Sequence, residues 1–340
     1  MKLLVTGGSG FIGSHVIDAL IADGHEVINL DALTYAADPA NNAAVADHPR
    51  YRFVHGDIRD AQLVDDLAAQ VDLVVNFAAE TRVDRSLHDP VPFVRTDVEG
   101  VAVLLEAVRR HPGLRLVHMS TDEVFGSLPP GVEAGPDHPF APASPYAASK
   151  AAAELLIAAY RHTYGLPVTV IRACNIYGPR QHPEKFIPLF ITQALQGEPM
   201  PLYGDGMQER EWLYVGDFVE AFRRVLATVL AGPPVVHVAS GERVPNRRVA
   251  ELICRLTGVP LDLIRPVADR PGHDRRYALD AATARALGWV PKVRLEEGLA
   301  RTVAWYREHG RSRRERDEYR RWFLAQYAER LGASPGTAAG

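Results

Sequence analysis

Through the first 180 residues, short apolar runs alternate with stretches whose apolar residues recur every three or four positions. The runs are "KLLVTGG", "EVINLDA", "YRFVHGD", "DLVVNFAA", "LRLVHMST" and "VTVIRACN". Strands that are apolar without interruption are buried on both faces, as in parallel sheets. Residues 12–23, 61–69, 98–111 and 146–163 have the spacing of helices. This succession predicts an α/β fold, a Rossmann-type doubly wound parallel sheet with helices on both faces. Ligands of such folds bind at the carboxyl ends of the strands, so chemistry is expected directly after each run.

After residue 180 the texture changes: prolines become frequent ("GPRQHPEKFIPLF", "GEPMPLYGDG"), helices look shorter and the strand alternation is lost. The expected organisation is a nucleotide-binding domain over 1–180 and a smaller substrate-binding domain over 181–310. "YVGDFVEAFRRVLATVL", residues 214–230, reads as a helix that returns to the first domain. Residues 312–331 read as a final amphipathic helix with Tyr319, Trp322, Phe323, Tyr327 and Leu331 near one face. Its arginines, mixed with acids, read as a solvated face. The last residues, "GASPGTAAG", read as a disordered tail.

Composition narrows the function classes. With 340 residues, 47% hydrophobic and 24% charged, the chain can bury a sizeable core. A formal net charge of −4 argues against nucleic-acid binding through a basic surface. Cys174 and Cys254 lie far apart and outside any C-x-x-C, which fits neither a disulfide framework nor a zinc site and suits a reducing cytoplasm. "MKLLVTGGSG" reads neither as a signal peptide nor as a membrane span, and no apolar stretch is long enough to cross a bilayer.

"TGGSGFIG" sets Gly7, Gly10 and Gly13 in a G-x-x-G-x-x-G array between a strand and a helix. Alone, three glycines also suit a plain tight turn. In this context they let backbone approach a pyrophosphate at a helix N-terminus, where unpaired N–H groups favour negative charge. Asp31 ends the second strand, where an acid can accept both adenosine ribose hydroxyls. No basic residue in "DALTYAADP" offsets a 2′-phosphate, which favours NAD over NADP. Asp57 and Ile58 end the third strand and would flank the adenine.

At the chemical end, "SPYAASK" places Tyr146 and Lys150 four residues apart, on one face of a helix that Pro145 can open. A lysine ammonium beside a phenol favours phenolate, so the tyrosine is expected to act as a base well below its free pKa. Just after the fifth strand, "STDEVFG" sets Thr121 beside two adjacent acids, Asp122 and Glu123. Either acid could merely cap a turn.

Taken together and in order, these segments resemble the extended short-chain dehydrogenase/reductase family. Within it they resemble the sugar-nucleotide 4,6-dehydratases, most closely the group acting on dTDP-glucose. "VVNFAAETRVDRS", "SPYAASKAAAELL", "PEKFIPLFI", "LYGDGMQEREWLYV" and "ADRPGHDRRYALD" carry the likeness, from residue 1 to about 308. The resemblance implies oxidation at C4 of a nucleotide-diphosphate hexose by NAD, loss of water across C5 and C6, and hydride return to C6. Tyr146 would take the C4 hydroxyl proton, Lys150 would hold the nicotinamide ribose, and Thr121 would bond the reacting oxygen. Asp122 would be the acid toward the C6 hydroxyl and Glu123 the base at C5. Two neighbouring acids suit that work, because repulsion raises one pKa while the other stays ionised.

Further contacts implied by the resemblance to NAD come from Phe11, Ile12, Leu33 and Thr34, and from Ala78, Ala79, Glu80 and Thr96. Those implied to the substrate come from Arg82, Asn175, Glu184, Lys185, Leu189 and Pro201, and from Tyr203, Arg210, Asn246, Arg270 and His273. A homodimer through the helices near 98–111 and 146–163 is implied as well. A 4-epimerase or decarboxylase of the same family, or a non-catalytic NAD-binding regulator, are the alternatives. The chain departs from the pattern at Arg82, where histidine is usual, at Ile176 (asparagine), at Arg180 (tyrosine) and at Asp97 (asparagine). Arg82 and Arg180 are expected near the sugar or the nicotinamide.

Overall fold

In the computed structural model, which describes residues 1–229 and 231–309, all six predicted strands form. They are β1 (Lys2–Thr6), β2 (Glu26–Asp31), β3 (Tyr51–His55), β4 (Leu73–Asn76), β5 (Arg115–Thr121) and β6 (Val168–Ala173). Next come β7 (Asn175–Tyr177), β8 (Met200–Tyr203) and β9 (Glu209–Tyr214), which leave the sheet, and β10 (Val235–Val238), which rejoins it. The sheet order is β10-β6-β5-β4-β1-β2-β3, with every pairing parallel. Chain order reverses between β1 and β4, the crevice where doubly wound folds bind ligands.

The continuous apolar runs are explained by cover on both faces. Leu3 and Val5 join Ile17, Phe218 and Phe222 on one side of the sheet. Leu4 joins Ile28, Leu104 and Ile157 on the other. β3 is the outer strand, which is why "YRFVHGD" is mixed and Phe53 is exposed.

The predicted return of residues 214–230 is seen as helix Val215–Thr228, whose Phe218 and Phe222 pack on the main sheet. β10 returns too, so the 1–180 and 181–310 division is interleaved rather than a single cut. The expectation of shorter helices after 180 is corrected, and short strands persist where the regular alternation was expected to lapse. Helices Phe186–Gln196, Asn246–Thr257 and Leu295–Glu308 build a second core around Phe190, Ile253 and Leu299. Two small sheets complete that lobe, β11 (Arg243–Pro245) with β9 and β7, and β12 (Ile264–Val267) with β8. The predicted helix at 312–331 and the tail lie outside the described residues. Among the described residues no helix is long and apolar enough to cross a membrane.

Candidate active site

A cleft follows the carboxyl ends of β1, β2, β4, β5 and β6. Gly7 has φ +66°, and a Cβ on it would fall 2.6 Å from Ala78 N, across the switch point. A Cβ on Gly13 would fall 2.4 Å from Gly7 O and 2.7 Å from Gly8 Cα, so the helix can sit this close to the loop only with glycine there. Gly10 differs. A Cβ there would meet only Gly7 O, at 3.2 Å, and otherwise occupy open space in the cleft. Helix Phe11–Ala22 starts at Gly10 with no side chain capping it, so its first N–H groups are available to an anion. The residues present therefore fit a dinucleotide pyrophosphate. Gly13→Ala is expected to destabilise the fold by about 1–3 kcal/mol and to weaken NAD binding. Thermal melting with and without NAD checks this, and an unchanged melt would contradict the packing argument.

Asp31 is buried at the end of β2. Its two carboxylate oxygens accept Ser9 N–H at 2.9 Å and Leu33 N–H at 2.8 Å. Burial raises its pKa and these two bonds oppose the rise. The side chain is thus fixed, with lone pairs left for hydroxyls. Leu33 is not on the cleft wall; at φ 49° it contributes its N–H to Asp31. Thr34, Asp57 and Ile58 are on the wall, as are Phe11, Ile12, Ala78, Ala79, Glu80 and Thr96. Arg59, which the sequence reading did not single out, chelates Asp57 at 3.0 and 2.6 Å.

β5 delivers Thr121 in extended conformation, and its Oγ1 accepts the Glu123 N–H, capping the tight turn Asp122–Phe125. That turn lets two adjacent acids line one cleft. Asp122 accepts the Thr121 hydroxyl on Oδ1, while its Oδ2 is buried without a hydrogen-bond partner. Burial first, and the Glu123 charge second, push the Asp122 carboxyl well above its ordinary value. Glu123 is raised by burial as well, but Arg270, Arg210 and Lys185 pull it back. The two acids therefore differ mainly in surroundings, more than through the mutual repulsion expected from their adjacency. The Tyr277 hydroxyl donates to Asp274 at 2.8 Å and lies 3.4 Å from Glu123 Oε2.

Ser144 caps helix Pro145–Tyr164, with Pro145 in its first turn, and so fixes Tyr146 and Lys150 on the cleft wall. The expected lowering of the phenol is corrected. Burial beside Val83 and Phe93, then the charges of Glu123 and Asp97, push Tyr146 well above its ordinary value, and a Thr121 hydrogen bond opposes them. The Lys150 ammonium donates to Met119 O at 2.7 Å; burial lowers its own pKa while Asp97 and Glu154 raise it.

Toward the substrate end, Asn175, Glu184 and Lys185 line the cleft. Asn175 Oδ1 is buried without a hydrogen-bond partner, and the Lys185 ammonium donates to Thr81 O. Arg82 is off the wall, paired with Asp84 at 2.8 Å. Arg270 also lies 3.5 Å from Asp84. Arg180 is not near the chemical end: it binds Asp18 of helix Phe11–Ala22 at 2.7 Å, with φ 66°. The Leu189 side chain is in the core of the second lobe, which leaves the expected contact from the backbone of 185–189 untouched, and Pro201 is buried within β8; neither side chain is on this cleft's wall.

The remaining predicted residues gather in the second lobe. Tyr203 meets His273 edge to face, and His273 bonds Asp269 at 2.6 Å. Arg210 donates to the carbonyls of Glu209 and Asp274 and lies 4.0 Å over the Tyr277 ring. Asn246 opens helix Asn246–Thr257 with its Oδ1 lacking a hydrogen-bond partner.

Residues 4–302 match the family model described as GDP-mannose 4,6 dehydratase. The chain belongs to that family. Its dTDP-glucose 4,6-dehydratase relative from Streptomyces niveus is 48% identical over 316 residues, covering 91% of this chain and 94% of the relative. A dTDP-glucose 4,6-dehydratase from Streptomyces venezuelae, crystallised with NAD and dTDP, superposes with TM-score 0.87 at 47% identity, over 91% of this chain and 97% of that one. A UDP-glucose 4-epimerase from Thermus thermophilus, in complex with NAD, superposes with TM-score 0.83 at 34% identity, over 90% and 99%. The extended short-chain dehydrogenase/reductase resemblance read from the residues is thus met.

This member of the 4,6 dehydratase family also holds its chemical end by a buried network that no local motif announces. Glu154, one turn beyond Lys150, accepts from Ser120 Oγ and from Arg172 Nε at 2.9 Å. Arg172 in turn lies 5.0 Å over Phe125 and donates to Pro136 O. The network joins the helix bearing Tyr146 to the strand bearing Thr121. It was missed because Glu154 and Arg172 are 18 residues apart and meet only through the fold.

Proposed function

We propose that this chain is an NAD-dependent 4,6-dehydratase of nucleotide-diphosphate hexoses, with dTDP-glucose as substrate. The observation that carries the reading is the Asp122–Glu123 pair: two acids on one wall, one pushed well above its ordinary value by burial and one drawn back by the charges of three cations. NAD, when bound, would supply a hydride acceptor for C4, a hydride donor for C6 and a positive ring whose charge would favour the Tyr146 phenolate. The glycine loop, Asp31, Asp57, Tyr146 and Lys150 are the residues that would hold it.

In this reading Tyr146 takes the C4 hydroxyl proton and Thr121 holds that oxygen. The resulting 4-ketone acidifies the C5 hydrogen, which Glu123 removes. Asp122 protonates the departing C6 hydroxyl, and C5 is later reprotonated. One acid must be charged and the other neutral at the same pH, which is what unequal environments achieve. A 4-epimerase has no use for that pair, although epimerases share the fold.

Incubation with a panel of dTDP- and UDP-hexoses, read by mass and NMR, tests the reading. The expected product is a 4-keto-6-deoxy sugar that has lost one water, from dTDP-glucose. A product that keeps its C6 oxygen, or no product from any hexose, overturns it.

A homodimer belongs to the same proposal, as does a cytoplasmic setting, which the two free, buried cysteines suit. Large apolar side chains stand exposed on two neighbouring helical segments: Leu155 at 62%, Val94 at 54% and Val91 at 51%. A second copy would cover them. Leu155→Asp is expected to shift the mass seen by analytical ultracentrifugation from dimer to monomer. A wild-type monomer at micromolar concentration overturns the dimer.

A further inference from the structure

Asp97 lies in the π-helical turn Val94–Glu99 and is 1% exposed. One carboxylate oxygen accepts the Glu80 N–H at 2.9 Å, and the other accepts the Ser149 hydroxyl at 2.8 Å. Glu80 belongs to the cleft wall that follows β4. Ser149 lies between Tyr146 and Lys150, and its hydroxyl is also 2.8 Å from Tyr146 O. One side chain thus ties two walls of the site together.

Hydrogen bonding alone does not call for an acid here. An asparagine could accept from Glu80 N–H with its oxygen and donate to Ser149 Oγ with its nitrogen. What the acid adds is charge at a buried position. The charged and titratable groups facing it are Lys150 and Tyr146 from helix Pro145–Tyr164 and Glu80 from the loop after β4. Lys150 attracts the negative form and Glu80 opposes it.

We infer that Asp97 is a positioning residue for the tyrosine–lysine pair: its bonds lock the two walls together, and its charge, set against Lys150 and Tyr146, tunes the pH at which the tyrosine acts. This rests on the dehydratase reading of Tyr146. The electrostatics agree in direction. Asp97 raises both the Tyr146 phenol and the Lys150 ammonium, and burial lifts its own carboxyl to about 6.

The test compares wild type with Asp97→Asn in two measurements. In turnover of dTDP-glucose against pH, the limb controlled by tyrosine ionisation should move to lower pH in the variant, by about 0.5–1 unit. An unmoved limb overturns the tuning. The second measurement is the melting temperature against pH without substrate. A carboxyl raised in the folded state is protonated there while the unfolded chain is already ionised, so wild type loses stability as pH climbs from about 4 to 6. The amide variant has no such loss, so its melting temperature should gain on wild type across that window and stay ahead above it. A constant difference overturns the buried charge, and a variant that does not fold overturns the premise that an amide satisfies both bonds. Failure of wild type to turn over dTDP-glucose would remove the function while the melting comparison still decides the state of Asp97.

Discussion

Glu123→Gln is expected to cut formation of the 4-keto-6-deoxy product by about 10²- to 10⁴-fold, the usual range for losing a general base. Glutamine keeps the size and shape of the side chain, so Tyr277, 3.4 Å from Glu123 Oε2, keeps a neighbour. What disappears is the carboxylate that Arg270, Arg210 and Lys185 favour. The C4 stage, which in this reading belongs to Tyr146 and Thr121, should survive, so the 4-ketone accumulates. The separating measurement is exchange of the C5 hydrogen with deuterated water, which should be lost in Glu123→Gln. Asp122→Asn should keep that exchange and lose the elimination, because it removes the proton donor and leaves the base. Exchange at the wild-type rate in Glu123→Gln would show that another group takes the proton. The pH dependence follows from the same environment. Burial raises the Glu123 carboxyl, so turnover should fall on the acid side at a pH above the ordinary glutamate value. Removing a cation moves that limb further up, and Arg270→Gln is the variant to use, since Arg270 opposes the rise most.

Much of the framework was legible because it rests on local pattern. The six parallel strands are continuous apolar runs, and their burial on both faces is the reason. The glycine turn, Asp31, the Tyr146–Lys150 spacing and the Thr121–Glu123 stretch are each contained in a few residues, and the structure brings them to one cleft. What was not legible depends on partners distant in sequence. β10 is only four residues long, Val235–Val238, and is recognisable as a sheet strand only from its pairing with β6. Arg180 looked like a neighbour of the chemistry until Asp18 was seen to hold it on another helix. The direction of the Tyr146 shift was misjudged because spacing shows the lysine four residues on, but shows neither the burial by Val83 and Phe93 nor the charges of Glu123 and Asp97. Lys150, for its part, donates to a backbone carbonyl, that of Met119.

Tyr146→Phe should lower turnover by about 10³-fold while leaving the fold intact. The ring packs against Phe93, with centroids 6.3 Å apart, and against Val83, contacts that phenylalanine keeps. The melting temperature should therefore change little. Only the hydroxyl goes, and with it the group that takes the C4 proton. Unlike Glu123→Gln, this variant should accumulate no ketone and show no C5 exchange, because C5 becomes acidic only after C4 is oxidised. The order of the two blocks is thus readable from one isotope experiment. Wild type should gain C4-stage rate as pH rises, since a raised phenol yields its proton only at higher pH. Thr121→Val should push that limb higher still, because the Thr121 hydrogen bond is what draws the phenol down. The Thr121 hydroxyl has a single proton, which goes to Asp122 Oδ1 when it is not turned to the phenol, so the same substitution leaves both oxygens of that acid without a partner and should slow elimination as well. A Tyr146→Phe enzyme that still exchanges C5 at the wild-type rate would mean that a carboxylate, not the phenol, starts the reaction, and Glu123, whose charge already reaches Tyr146, is where that search would begin.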